Sequence, residues 1–151
     1  MRVYSSGPIT GLTPKQAGEW RSYVREKLEL HDIEVRDPLR GSKDLHNPRA
    51  KIKPSAEEYS DAPELSDTAL TYRDRLDVLT SDIIFVNLLG AKEKSIGTIC
   101  EISIGWDHRK MVVAVMEEKG NVHDHPFIRA MLSARFSDLD QAIQYVVDSA
   151  A

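Results

Sequence analysis

Cysteine is almost missing: Cys100 is the only one in 151 residues. An intramolecular disulfide is therefore impossible, and a small secreted scaffold stapled by disulfides is excluded. Long apolar runs are missing too, none approaching the roughly 18 residues of a membrane-spanning helix. The opening Met-Arg-Val-Tyr-Ser-Ser-Gly has no apolar stretch of the kind that export signals carry. Excess positive charge is absent, since 20 Lys and Arg stand against 24 Asp and Glu for a net charge of −4. Neither a nucleic-acid polymer nor an anionic membrane is expected as a partner. No internal repeat or low-complexity tract is visible. These absences point to a cytoplasmic protein. What is present, 41% hydrophobic and 29% charged residues, suits one globular domain over 1–151. A chain of this length buries roughly 70% of the surface that its unfolded form exposes.

Short apolar, β-prone runs alternate with longer amphipathic ones, the pattern of a parallel sheet covered by helices. Arg2–Ser5 reads as a first strand. Thr13-Pro14-Lys15-Gln16 has a Thr N-cap, a Pro at the first helical position and a Gln closing a capping box. The helix it starts runs to about Leu30, burying Trp20, Val24 and Leu28. Asp32–Val35 reads as a second strand, and from Arg36 to about Ser60 the chain is polar and irregular, a functional loop or a mobile segment. A helix from about Ser66 to Leu79 precedes Asp82–Leu89, whose near-continuous apolar run marks a strand buried on both faces. Gly97-Thr98 opens a helix to about Trp106, and Met111–Met116 is a fourth buried strand. Pro126–Ser133 is a short helix, Ala134–Phe136 a fifth strand, and Ser137 caps a last helix from Asp138 to about Ser149.

The expected fold is α/β: a flavodoxin-like (Rossmann-like), five-stranded parallel sheet with helices on both faces. In that arrangement ligands sit beyond the carboxyl ends of strands one and three. Those ends are Tyr4–Gly11 and Asn87–Thr98. The candidate substrate contacts are therefore Gly7, Pro8, Ile9 and Gly11 on one loop, with Asn87, Ser95, Gly97 and Thr98 on the other.

Ser95-Ile96-Gly97-Thr98-Ile99-Cys100-Glu101 leads from a buried strand into a helix, where backbone N–H groups and the helix dipole favour an anion. A glutamate in that first turn is expected to keep a low pKa and stay ionised, as a nucleophile attacking an oxocarbenium-like carbon requires. An ordinary helix-favouring acid would show the same placement.

Several pieces in order break this tie. Tyr4-x-x-Gly7-Pro8-Ile9-x-Gly11, then Asp74 ahead of Ser81-Asp82 and its apolar strand, then Ser95-x-Gly97-Thr98-x-x-Glu101, together resemble the nucleoside 2-deoxyribosyltransferase superfamily. That superfamily includes nucleoside 5'-monophosphate N-glycosidases. The resemblance spans Arg2 to about Met116 and is weakest over 36–64 and beyond Val122. It implies that Glu101 is the nucleophile forming a glycosyl ester and that the Tyr4 hydroxyl holds its carboxylate. It also implies that Asp74 assists protonation of the leaving base. Without it, Asp74 would read as a solvated helix charge between Arg73 and Arg75.

Ser95 bears on the branch. Transferases acting on free nucleosides resemble one another in carrying an aspartate six residues before the nucleophile, whereas the monophosphate hydrolases have a serine there. A hydroxyl beside backbone N–H groups suits a phosphate. Against this, those hydrolases resemble Gly-Ser-Ile-Arg-Gly in the first loop, and this chain has Gly7-Pro8-Ile9-Thr10-Gly11. Arg40 is a candidate to supply the missing charge. The leading expectation is a transferase exchanging one base for a free nucleobase acceptor, with a place in nucleotide salvage. The alternatives are a 5'-monophosphate N-glycosidase and a non-catalytic nucleotide-sensing module.

The resemblance further implies no metal, no cofactor, and a homo-oligomer with shared active sites. His125 is the candidate to close over the sugar or reach a neighbouring subunit's site. His123-Asp124-His125 lacks the third ligand of a metal centre. Cys100 reads as a small buried hydrophobe, Asp82 as structural, and Trp20 and Trp106 as packing residues. Lys92 and Lys94 are solvated charges or an electrostatic lure for phosphate.

Overall fold

The computed structural model describes residues 1–151. Strand β1 (Arg2–Ser6) is followed by α1 (Pro14–Glu29), β2 (Glu34–Arg36), α2 (Asp67–Thr80), β3 (Ile83–Asn87), α3 (Ile96–Asp107), β4 (Met111–Val115), α4 (Pro126–Met131), β5 (Ala134–Phe136) and α5 (Leu139–Ala150). The strands form one sheet in the order β2-β1-β3-β4-β5, parallel at every pairing. This is the flavodoxin-like order, and β3 beside β1 brings their carboxyl ends together.

Side chains alternate across a strand, so each strand feeds two layers. Val3, Phe85, Val113 and Val115 pack with Val24 and Leu28 of α1 and with Ala142 and Val146 of α5. Tyr4, Ile84, Val86, Val112 and Ala114 pack on the other side with Val78 of α2, Ile102 of α3 and Ile128 and Met131 of α4. Position six follows position four onto this second face. Close contact there depends on Gly105, where an added Cβ would lie 2.8 Å from Ile84 Cγ1.

Helix α1 starts as its sequence indicates, with Thr13 as N-cap and a complete Thr13–Gln16 capping box. Among the boundaries that differ, three have a clear local cause. Asp32 is in a left-handed turn (φ 57°), which delays β2 to Glu34. Helix α5 is capped by Asp138 rather than Ser137, because the Asp138 carboxylate accepts from the Gln141 N–H at 2.9 Å. Helix α3 begins at Ile96 with Ser95 as its N-cap.

The connection between β2 and α2 is a docked strap with short 3-10 turns at Lys43–Leu45, Ala56–Glu58 and Pro63–Leu65. Leu39 and Ile52 are buried against Ala17, with Ile9 and Leu12 packed around them. The Gly11 N–H donates to the Ile52 carbonyl and the Ile52 N–H to the Leu12 carbonyl, both at 2.8 Å. Gly11 adopts φ +80°, a conformation glycine takes without strain. No helix is long and apolar enough to cross a membrane.

Candidate active site

Glu101 is the sixth residue of α3, in its second turn rather than its first. Its carboxylate points to the end of β1. The Tyr4 hydroxyl donates to Oε1 at 2.7 Å, and the Ser6 hydroxyl donates to Oε2. Tyr4 and Ser6 are both fully buried. The pleat explains the pairing, since alternate residues of β1 face α3 while Ser5, between them, donates instead to the Arg36 carbonyl at 3.1 Å. Ser6 escaped the sequence reading, although its two-residue offset from Tyr4 was the available signal.

The charge state of Glu101 departs from expectation. Burial pushes its carboxyl up to about 7, against the lowering effect of the Ser6 and Tyr4 hydrogen bonds and of the Arg21 guanidinium, while Asp74 repels its charge. A second-turn position also lies beyond the strongest reach of the helix dipole. The low pKa expected for a first-turn acid is therefore corrected to a raised one. Tyr4 is held well above its ordinary value, first by burial and then by the Glu101 and Asp74 charges, so it remains an O–H donor.

Asp74 projects from α2, half-buried, and burial raises its carboxyl while Arg73 lowers it. Arg73 Nε and Nη2 both donate to Asp74 Oδ1, at 3.0 and 2.9 Å. Arg40 lies on the strap, paired with the buried Asp77 at 2.5 Å and donating to the Asp37 carbonyl at 3.1 Å. Asp77 was not singled out from sequence; its place one helical step beyond Asp74 was the only hint.

Arg21 of α1 is also a residue the sequence reading passed over. It is 1% exposed, donates to the Gly7 carbonyl at 2.8 Å and to the Ala17 carbonyl, and lies 4.0 Å from Asp37. Gly7 is needed for close approach, because an added Cβ would stand 2.7 Å from the Asn87 carbonyl oxygen and 2.9 Å from Trp20. The β1 and β3 loops thus touch at Gly7 and Asn87. Asn87 Oδ1 accepts from the Leu89 N–H at 3.1 Å, Pro8 is partly exposed, and Ile9 belongs to the strap's small core.

Ser95 Oγ lies 2.8 Å from Thr98 Oγ1 and accepts from the Thr98 N–H, while Gly97 is exposed. The buried His123 fixes the cap residue, its Nε2 accepting from the Ser95 N–H at 2.8 Å. His123 Nδ1 faces Asn121 Oδ1 at 3.3 Å, and Asn121 donates to the Leu88 carbonyl and to Glu117. His125 is exposed and caps α4, accepting from the Phe127 N–H at 3.2 Å.

Asp82 is structural, accepting from the Arg2 N–H at 2.8 Å. Two readings need correction. Cys100 is exposed, because it falls on the solvent side of α3 next to Glu101. Trp106 is 54% exposed rather than packed inside, whereas Trp20 does pack, against the first core layer. Cavities of about 310 and 420 Å³ lie on the α1–strap seam and between α3 and α4. Neither includes Glu101 or Asp74.

No protein-family model and no curated protein matches the chain. Solved structures do. A 2-deoxyribosyltransferase from Bacillus psychrosaccharolyticus superposes with TM-score 0.66 at 16% identity, over 96% of this chain and 92% of the other. The chain shares its fold. A CMP N-glycosidase from Clostridium botulinum gives TM-score 0.60 at 15% identity over 100% of both chains. A molybdenum cofactor binding protein from Rippkaea orientalis gives 0.59 at 15% identity, over 99% of this chain and 96% of that one. A transferase, a hydrolase and a binding protein thus share this backbone, and the site's own chemistry must choose between them.

Proposed function

We propose that the chain, acting as one domain over 1–151, cleaves the N-glycosidic bond of a (deoxy)nucleoside or nucleotide through a glycosyl ester on Glu101. The observation that carries this reading is a half-buried glutamate whose two oxygens each accept a hydrogen bond from a buried hydroxyl, of Tyr4 and of Ser6. A carboxylate so held is oriented for attack on an anomeric carbon, and the two hydroxyls offset part of the cost that burial imposes on its charge. A Glu101 oxygen bonds to C1′ as the C1′–N bond breaks. The electron pair leaves on the base nitrogen, which takes its proton from Asp74. In the transferase version, the nitrogen of a free nucleobase then attacks C1′, giving up its own proton to Asp74 and releasing the Glu101 carboxylate. In the hydrolase version water does so. A non-catalytic sensor would have no need of this paired loading of one carboxylate.

Base exchange is the leading version, and 5'-monophosphate hydrolysis is the second. The second is favoured by Ser95, a hydroxyl at the head of α3 where the neighbouring Ile96 and Gly97 are exposed. Arg40 supports it less, because Asp77 already neutralises its charge. We place the protein in the cytoplasm, in keeping with its lone, exposed thiol. A homo-oligomer is supported by the outer surface of α3 and α4, where Trp106 (54%) and Phe127 (75%) are exposed and line a cavity together with His125.

Chromatography of a reaction panel tests the function. Deoxynucleosides and their 5'-monophosphates are each incubated with and without a different free base. A new nucleoside formed only with acceptor establishes the transferase, and free base released from monophosphates alone establishes the hydrolase. No product from any member overturns both.

A further inference from the structure

The 36–64 strap and the Asp74 carboxylate meet at a single guanidinium. Arg73 Nη1 donates to the Arg40 carbonyl at 3.1 Å and Nη2 to the Pro38 carbonyl at 2.5 Å. Nε and Nη2 of the same group donate to Asp74 Oδ1. All three partners depend on the planar fork of arginine, which a lysine ammonium on a flexible stem does not reproduce. We propose that Arg73 is a positioning residue that ties the position of the strap to the orientation of Asp74.

The consequence follows from the atoms engaged. With two N–H groups on Oδ1, the carboxylate cannot rotate freely, and Oδ2 is the oxygen left for a substrate base. The carbonyls gripped on the other side belong to a well-bonded segment. The Leu39 N–H donates to Asp37 Oδ1 at 2.8 Å, the Arg40 N–H to the Asp37 carbonyl at 3.1 Å and the Ser42 N–H to the Leu39 carbonyl at 3.2 Å. The same strap is pinned at its other end by the Gly11–Ile52 pair. Lifting the strap at residues 38–40 breaks two of the bonds that orient Arg73, and Asp74 then loses its fixed partner. A base bound to Oδ2 holds Asp74, Arg73 and hence the strap in place. Coupling of this kind runs equally in both directions. The charged groups around Asp74 are Arg73, Asp77 and Arg40, with Glu101 opposite.

The assignment of Asp74 to the leaving base rests on the function proposed above, but the mechanical link does not. Amide hydrogen exchange on the whole protein therefore tests it without substrate, using Arg73→Gln, Asp74→Asn and the double variant. Losing charge-assisted hydrogen bonds should speed exchange at 39, 40 and 42 about tenfold in Arg73→Gln. The α2 amides should keep their protection, which shows that the fold is intact. Asp74→Asn should speed the same amides, and the double variant should add little to either. Unchanged exchange at 39–42 in Arg73→Gln, or fully additive effects, overturns the coupling. Arg73→Lys separates charge from geometry: exchange as fast as in Arg73→Gln supports the fork, and protection like that of the unaltered protein refutes it. Inactivity of the unaltered protein on every nucleoside and nucleotide would sink the glycosidic reading and leave this result standing.

Discussion

A carboxyl raised to about 7 is a stability statement as well as a catalytic one. The folded state binds the Glu101 proton more tightly than the unfolded chain does. Glu101 therefore leaves the fold unpenalised below about pH 4.5, and stability is lost as pH rises towards 7. A tenfold difference in proton affinity is worth about 1.4 kcal/mol, so the penalty above pH 7 is about 3 kcal/mol. Glu101→Gln should remove turnover, by about a thousandfold or more, and yet be the more stable protein at pH 8. Thermal unfolding at pH 5 and pH 8 checks this: the two proteins should differ little at pH 5 and clearly at pH 8. The second consequence concerns proton sharing. In the proposed mechanism the productive form carries one proton, with Asp74 protonated and Glu101 ionised. The pH profile of kcat/KM should be bell-shaped, rising as Glu101 ionises and falling as Asp74 gives up its proton. In Asp74→Asn the residual activity should instead rise to a plateau. A wild-type rate still climbing above pH 8 would show that Asp74 is not the proton donor.

Helix α3 presents Glu101, and two features outside its apolar pattern place it. Gly105 lets the helix lie against Ile84, and Ser95 fixes its start while His123 holds Ser95. Ser95→Ala should cost about 1 kcal/mol through the lost cap. On the monophosphate reading it should also raise KM for a nucleoside 5'-monophosphate about tenfold, the loss expected for one charge-assisted hydrogen bond, and leave KM for the nucleoside nearly unchanged. An equal rise for both substrates would count against that reading. The elements themselves were legible because each carried a local signal. The Thr13–Gln16 box and the near-continuous apolar run through Asp82–Leu89 are examples. The start of α3 was misplaced by a residue because Ser95 and the glycine–threonine pair both look like helix openings. The sign of the Glu101 shift was missed for another reason: burial, which raises its carboxyl, comes from tertiary packing that no local spacing encodes.

At the scale of the molecule, the parallel sheet was legible because apolar strands alternating with amphipathic helices admit few other packings. The site was legible in outline, since strand order brings the β1 and β3 ends together. Partners distant in sequence were not. Arg21 beneath Gly7, Asp77 against Arg40, and His123 behind Ser95 are contacts that no local spacing encodes. The exposure of Trp106 and Phe127 has the same origin, because a helix pattern shows which residues are apolar but not which neighbour covers them. If a second copy covers them, the protein should elute as an oligomer, and Trp106→Glu should shift it towards the monomer. A fully active monomer would remove the neighbour from the site.

The most direct test of the account is to trap the ester. A 2-fluoro-arabinosyl nucleoside or its monophosphate slows breakdown of a glycosyl ester, because the fluorine disfavours the oxocarbenium-like transition state. Mass spectrometry of the intact protein and of its peptides should then show one added sugar on the peptide containing Glu101. Glu101→Gln should show none. Turnover without any adduct, or an adduct that persists in Glu101→Gln, would contradict nucleophilic catalysis by Glu101.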